Sequence, residues 1–275
     1  MLGKLIKHEF KATGRFFLPM YVFIIILTPI FSLSIRMLND SDSVDTYSVG
    51  SAMSTLLGFG GISGFVIMMM GIFMATFILI VLRFYRTTAT SEAYLTFTLP
   101  VNAWEIVFSK TLCGFIWEIC TGILAGAAIL CMTFISGLWS VQEFLKSMSD
   151  FLSNFQTFFG LDPSDILSLV LILLAALLGV LASLGKIFLS ISLGQLFNNH
   201  RILISIGFYL AVYVALRFVG SMTSLPLLMI ESDSMDTSNY YLNILYSITA
   251  VQNLIIAVVC FIITTIILKK HLNVR

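Results

Sequence analysis

The stretch that decides the fold runs from Leu57 to Leu82 and reads LGFGGISGFVIMMMGIFMATFILIVL. It contains no charged residue, and Arg83 and Arg86 follow it directly. About 20 apolar residues suffice for a helix to cross the hydrocarbon core of a bilayer, so this stretch is long enough to span a membrane. Lipid offers no partner for unpaired backbone groups, and the stretch lacks the alternating polarity of a barrel strand. We therefore expect a helix.

The composition of the whole chain agrees with a membrane protein. Hydrophobic residues make up 59% of the 275 residues and charged residues only 11%, and the mean hydropathy is +1.01. Soluble proteins contain roughly 45–50% apolar and about 25% charged residues. We therefore do not expect a water-soluble enzyme, a nucleic-acid-binding protein or a disordered chain. The net charge of +1 indicates no global electrostatic partner.

Five further apolar blocks resemble the first in length, so we predict an all-α polytopic protein with six transmembrane helices. We assign residues 1–275 to a single transmembrane domain. The predicted spans are Phe16–Ile35, Leu57–Leu82, Thr111–Leu138, Ile166–Phe188, Ile202–Leu225 and Ile248–Leu268.

Basic residues indicate the orientation, because loops on the cytoplasmic side carry an excess of Lys and Arg. On the predicted N-terminal side lie Lys4, Lys7, Lys11, Arg15, Arg83, Arg86, Lys110, Lys186, Arg201, Lys269, Lys270 and Arg275, which are twelve of the 15 basic residues. The opposite side carries only Arg36 and Lys146. We expect a multi-pass protein of the plasma membrane with both termini in the cytoplasm.

The first fifteen residues have the pattern of an amphipathic helix. Leu2, Leu5, Ile6 and Phe10 share one arc of it. The basic residues of the opposite arc are Lys4, Lys7, Lys11 and Arg15. Such a helix is expected to lie in the inner interface with its bases toward anionic headgroups of the membrane lipid. Glu9 projects within the apolar arc, so we expect it to have a partner inside the protein.

A second amphipathic stretch lies on the outer side, within residues 139–164. Apolar side chains recur at three-and-four spacing between Val141 and Phe159, which predicts a helix on the outer surface or over an outer cavity. Ser140 and Glu143 have the spacing of a capping box at its start. Pro163 is predicted at the first position of the fourth span. Surface anchoring and a gating lid both remain open as roles.

The loop between the second and third spans, residues 83–110, carries the most information about function. Pro100 ends any helix that begins near Ser91, and this short segment displays Tyr94, Leu95 and other apolar side chains. A solvated linker has no reason to display them, so we expect a protein partner at this loop.

Two motifs resemble those of type-2 ATP-binding-cassette (ABC) exporter permeases of Gram-positive bacteria. Residues 5–11, LIKHEFK, are similar to the N-terminal elbow helix of that family. Residues 94–101, YLTFTLPV, followed by Ser109 and Lys110, are similar to its first cytoplasmic loop. The six-span pattern with both ends inside covers the whole chain. The outer stretch at 139–164 is not a general feature of the family.

The resemblance implies a permease that docks on a cytoplasmic ABC ATPase through a coupling helix in this loop. The docking residues it implies are Glu92, Tyr94, Leu95, Phe97 and Leu99. It further implies an elbow helix bearing Lys4, Lys7, Glu9, Lys11 and Arg15, and a second permease that is either a copy or a paralogue. ATP and Mg would be bound by the partner ATPase, and this chain would carry no cofactor.

Two ionisable residues lie inside apolar blocks, where charge is costly and suggests function. Glu118 is expected to act in transport or gating, or to make a satisfied structural contact. Arg217 could pair with it only by tilting or snorkelling, or could instead reach the outer headgroups. Both readings stay open for each residue.

Motifs of catalysis are missing from the sequence. There is no Gly-x-x-x-x-Gly-Lys-Ser/Thr loop for phosphate and no His-Glu-x-x-His pair for zinc. We expect no catalytic residue, no metal site and no enzyme activity in this chain.

The main hypothesis is therefore the permease half of an ATP-driven exporter. Because we expect mostly apolar and nearly uncharged cavity walls, the substrate would be an amphipathic or hydrophobic peptide such as a bacteriocin, a drug or a lipid. The alternatives are an ion-coupled secondary transporter, which would need paired intramembrane acids or an inverted repeat, and a non-transporting anchor or sensor subunit.

Overall fold

The computed structural model describes residues 2–41, 49–89, 102–137, 140, 142–143, 145–147, 149, 163–197, 201–228 and 235–270. Six long helices dominate this part of the chain, and it contains no β-strand. The helices are α1 (Leu2–Ser41), α2 (Val49–Ala89), α3 (Ala103–Ile135), α4 (Pro163–Gly194), α5 (Arg201–Leu228) and α6 (Met235–Lys270). Each contains a stretch long and apolar enough to cross a membrane. The prediction of an all-α chain with six such helices is confirmed.

The surfaces of these helices carry large apolar side chains. Leu56, Met70 and Leu203 are each exposed over 70% or more of their surface. A soluble protein rarely exposes apolar patches of this extent. In lipid the same side chains have apolar neighbours, so this surface agrees with a multi-pass membrane protein.

The helices extend beyond the apolar runs that predicted them. The stretch Leu2–Met37 is 36 residues long, which at 1.5 Å per residue is roughly 54 Å and exceeds a hydrocarbon core of about 30 Å. The predicted boundary near Arg15 is absent, because α1 runs without a break from Leu2 to Ser41. No helix-ending residue stands at positions 15–17. Pro19 and Pro29 both lie inside the helix.

Local backbone chemistry sets the ends of α3. At its start the carbonyl of Asn102 accepts hydrogen bonds from the backbone N–H groups of Glu105 (3.0 Å) and Ile106 (3.4 Å), as expected of an Asn N-cap. At its other end Gly137 has φ +74°, a left-handed conformation that glycine adopts freely. The helix therefore stops at Ile135, three residues before the predicted end at Leu138.

The predicted capping box is confirmed. The backbone N–H of Glu143 donates to Ser140 Oγ over 3.0 Å, and the N–H of Ser140 donates to Glu143 Oε2 over 2.9 Å. The bond that the Glu143 carboxyl accepts from the Ser140 backbone N–H lowers its pKa most, and a hydrogen bond from the Ser140 side chain lowers it further. Most of the apolar stripe between Val141 and Phe159 lies outside the described residues. Pro163 is the first residue of α4, as predicted.

Contacts group the chain into two compact units. The second unit comprises Phe10–Leu79 and Ile116–Phe155. Its core is formed by Ile24, Phe65, Met68, Ile72 and Ala128. Because lipid is as apolar as these side chains, close packing and hydrogen bonds rather than exclusion of water must hold such a core together.

Polar side chains join the helices of this second unit. Tyr21 Oη lies 2.9 Å from Thr121 Oγ1, which lies 3.3 Å from Thr76 Oγ1. Trp117 Nε1 donates to Thr13 Oγ1 over 2.9 Å, and the Trp117 ring stacks on Phe17 with centroids 4.4 Å apart. Hydrogen bonds thus connect α1, α2 and α3.

The first unit comprises Met1–Glu9, Ile80–Phe115 and Gln156–Arg275. Within it α4 packs along both α5 and α6. Gly185 allows α6 to approach α4, because a Cβ at this position would lie 3.1 Å from the Cβ of Cys260. Phe84 near the end of α2 stacks on Phe188 of α4, with ring centroids 4.0 Å apart and both residues fully buried.

Candidate functional site

The five residues implied as docking residues, Glu92, Tyr94, Leu95, Phe97 and Leu99, lie outside the described residues. The two ends of their loop are described, up to Ala89 and from Asn102 onward. The candidate site is therefore the framework that holds the ends of loop 83–110.

An ion-pair cluster joins both ends of the loop to the start of α1. Lys110 Nζ donates to Glu9 Oε1 over 2.6 Å, and Arg83 Nε donates to Glu9 Oε2 over 3.1 Å. Arg83 lies six residues before the end of α2 and Lys110 seven residues after the start of α3, so both ends of the predicted loop 83–110 are helical. We call these three residues the Glu9 cluster. The prediction that Glu9 has a partner inside the protein is confirmed, although the sequence pattern did not identify Lys110 and Arg83.

Burial differs among the three residues of the Glu9 cluster. The side chain of Lys110 is 4% exposed and that of Glu9 is 12% exposed, whereas that of Arg83 is 35% exposed. A buried charge that loses its partner destabilises a protein strongly, while a partly exposed charge turns to solvent. Lys110 therefore depends on Glu9 for its counter-charge, whereas Glu9 keeps Arg83 when Lys110 is lost.

Neighbouring contacts reinforce the same end of α2 and the start of α3. Gln195, just beyond α4, donates through Nε2 to Thr88 Oγ1 over 3.3 Å. Ser109, completely buried, donates to the Ile106 carbonyl over 2.9 Å. With the Phe84–Phe188 stack, these contacts fix the positions from which loop 83–110 departs and to which it returns.

Exposure along the first fifteen residues follows the predicted arcs. Lys4, Lys7, Lys11 and Arg15 are all exposed, whereas Leu2, Leu5, Ile6 and Phe10 are half-buried. The helical form and the division into two faces are therefore present, within the continuous helix α1.

The two predicted intramembrane charges occupy different surroundings. Glu118 is half-buried in the second unit and makes no hydrogen bond or ion pair with a described residue. Arg217 is exposed, and its Nε donates to Tyr213 Oη one helical turn earlier, over 3.4 Å. The contact that the structure gives Arg217 is thus with a phenol of its own helix.

Lys186 is a third charge within these helices, and sequence reasoning missed its placement. The charge pattern predicts it at the inner face, yet it lies eight residues before the end of α4, which is about 12 Å along the helix. Its Nζ lies 5.8 Å from the ring centroid of Tyr213, and the Arg217 Cζ lies 6.0 Å from the same centroid. The position of Lys186 inside an apolar run was the available signal.

These residues line a cleft of about 850 Å³ between α4, α5 and α6. Lys186, Tyr213 and Arg217 stand on one part of its wall, and Gln252 and Asn253 of α6 on another. No Asp or Glu is found among the described lining residues. The expectation of nearly uncharged cavity walls does not fit this cleft, because hydropathy averaged over a span hides single cations.

The Glu9 cluster and the cleft differ in what they can do. The ion pairs of the Glu9 cluster can hold the helix ends together, and the two cations of the cleft can attract an anion. Within the described ranges no three His, Cys, Asp or Glu side chains come close enough to hold a metal ion. Comparison with known proteins finds no matching family model, no matching curated protein and no matching solved structure.

Proposed function

We propose that this chain is the permease subunit of an ATP-driven exporter in the plasma membrane, with both termini in the cytoplasm. A separate ABC ATPase subunit binds ATP and Mg, and a second permease, identical or paralogous, completes the assembly. The substrate is an amphipathic or hydrophobic molecule, such as a peptide, a drug or a lipid. This chain contributes the path and no catalysis.

The observation that carries the proposal is the Glu9 cluster at the base of loop 83–110. Burying an ion pair costs desolvation of both charges, so a loop that merely tethers two helices gains little from one. A loop that must transmit force benefits from buried ion pairs at its ends, because a loose attachment to the helices would move without moving them. Glu9 ties Lys110 and Arg83, one from each end of the loop, to the same helix.

The mechanism follows from this attachment. Nucleotide binding closes the partner ATPase and moves the segment Glu92–Leu99 that rests on it. The displacement passes into α2 through Arg83 and into α3 through Lys110, and α1 follows through Glu9. Such shifts between two discrete packings are how helical proteins convert a local push into a global transition.

Co-purification from the native membrane tests the proposal. A tagged wild-type chain is expected to carry a cytoplasmic ATPase with it and to show nucleotide hydrolysis. The double variant Leu95→Asp/Phe97→Asp is expected to lose both, because two buried carboxylates at the docking surface oppose association. Leu145→Asp is the matched control, since Leu145 is an exposed leucine of the predicted outer stretch.

Two outcomes would contradict the proposal. One is a wild-type chain that carries no ATPase, and the other is a double variant that retains it while Leu145→Asp behaves identically. The size-exclusion profile of each variant must match that of the wild type, so that loss of binding is separated from loss of fold. Export that continues without any ATPase would favour the ion-coupled alternative.

The role of Glu118 is tested in the same export assay. Glu118→Gln removes the charge while preserving shape, so a loss of export with unchanged ATPase binding would assign it to transport or gating. Unchanged export would remove that reading.

A further inference from the structure

We propose that the cleft between α4, α5 and α6 binds an amphiphile with an anionic phosphate head group, held by Lys186, Tyr213 and Arg217. This inference concerns binding and does not rest on the presence of a motor.

The arrangement of charge is the first step of the argument. Lys186 and Arg217 come from different helices and both lie within about 6 Å of the centre of the Tyr213 ring. Neither makes an ion pair with any residue that the structure describes. Cations inside an apolar span are costly unless they find a counter-charge, and no described lining residue supplies one.

Hydrogen-bond donors make the second step. Arg217 already donates to Tyr213 Oη through Nε, which leaves its terminal nitrogens for a ligand. Guanidinium and ammonium groups are the common protein partners of phosphate oxygens, and bonds between charged groups are the stronger ones. A phosphate beside the Tyr213 ring, about 6 Å from whose centre both cations lie, would supply a counter-charge to Lys186 and to Arg217.

The position of Arg217 and the walls of the cleft indicate the rest of the molecule. Arg217 lies 15 residues beyond Ile202 and five residues before Met222, the two ends of its apolar stretch, so it is about 8 Å from the nearer end, where a lipid head group can reach it. Val214, Phe218 and Ile248 provide apolar lining next to the cations. The volume of about 850 Å³ lies within the range of sites for small molecules. An anion with an apolar body can occupy these walls, whereas inorganic phosphate would leave them bare.

Two observations describe how α6 is positioned at the cleft. Asn253 Nδ2 donates to the Ala175 carbonyl of α4 over 3.2 Å, which ties α6 to α4. The Gln252 side chain of α6 lies against Gly220 of α5, because a Cβ placed on Gly220 would lie 3.1 Å from Gln252 Nε2.

The test measures retention of phosphatidylglycerol and phosphatidylcholine with identical acyl chains on the purified full chain in nonionic detergent, by native mass spectrometry. The wild type is expected to retain phosphatidylglycerol preferentially. Lys186→Gln and Arg217→Gln should each reduce that retention about tenfold, as expected for loss of a charged hydrogen bond. Lys11→Gln/Lys269→Gln, which removes two exposed basic residues outside the cleft, is the matched control.

Two further arms separate the sources of the signal. Excess inorganic phosphate should leave the bound phosphatidylglycerol in place. Displacement by phosphate alone would contradict the proposal that the ligand is an amphiphile. Lys186→Arg and Arg217→Lys keep the charge and should keep the preference, which guards against misfolding of the glutamine variants. The proposal is overturned if the wild type shows no preference, or if the cleft and control variants lose retention equally.

Discussion

Replacing Glu9 by glutamine removes the negative charge that Lys110 and Arg83 share. The Lys110 side chain is 4% exposed and lies 2.6 Å from Glu9, so Glu9→Gln leaves a buried ammonium without a counter-charge. Loss of one partner of a buried ion pair typically costs about 3–5 kcal/mol. Glu9→Gln should therefore lower the free energy of unfolding by roughly this amount, and Lys110→Met should cost less, because Glu9 keeps its ion pair with Arg83.

The same geometry predicts that two further variants lose less stability than Glu9→Gln. Removing both members in Glu9→Gln/Lys110→Met leaves no buried charge without a partner, so the double variant should be more stable than Glu9→Gln alone. Arg83 is 35% exposed and can turn to solvent, and Arg83→Gln should cost no more than about 1 kcal/mol. Lys11→Met, an exposed lysine on the same helix, serves as the control and should change stability by less than about 0.5 kcal/mol.

Equilibrium unfolding in mixed micelles, with tryptophan fluorescence as the probe, measures all five variants. The reasoning would be refuted if Glu9→Gln cost no more than Lys11→Met, or if the two single costs simply added in the double variant. Additive costs would mean that Glu9 and Lys110 contribute to stability independently, which is not expected of two residues whose charged groups are in direct contact.

Three other perturbations have defined outcomes. Gly61→Ala should lower the free energy of unfolding by about 1–3 kcal/mol in the same assay, because the new Cβ would lie 2.8 Å from the Ser34 Cβ and 3.1 Å from the Phe31 carbonyl oxygen. Gly60→Ala is the matched control. It has no such neighbour within 4 Å and should leave the stability unchanged or raise it by up to about 1 kcal/mol. Phe84→Ala should cost about 3–5 kcal/mol, since the ring is 1% exposed and stacked on Phe188, and Phe84→Leu should recover much of that loss. Because the folded pKa of Glu143 is lowered, its capping bonds stabilise the helix start at pH values above the unfolded carboxyl pKa and are lost as the pH falls through the folded pKa. The Ser140 amide resonance should follow that acidic titration in NMR spectra and lose it in Glu143→Gln.

Sequence patterns predicted what depends on neighbours along the chain. Runs of apolar residues located all six helices, and the Ser140–Glu143 spacing located a cap, because both follow from local chemistry. The end of α3 was missed by three residues because Gly137 adopts a left-handed conformation before the apolar run is over.

Long-range partners could not be predicted in the same way. The apolar arc around Glu9 indicated that a partner exists, but Lys110 and Arg83 lie 101 and 74 residues away along the chain. Only the packing of three helices selects them. The approach of Lys186 to Tyr213 could not be predicted for the same reason, although the apolar run around Lys186 indicates that it lies within a span.

Separation along the chain also has a consequence during synthesis. Glu9 leaves the ribosome 101 residues before Lys110, an interval of about 5–20 s at usual elongation rates. Throughout that interval the nascent first helix bears a carboxylate on its apolar side with no ammonium to receive it. Glu9 must therefore stay hydrated or protonated until Arg83 and then Lys110 have been translated, and only then can the start of α1 complete its ion pairs.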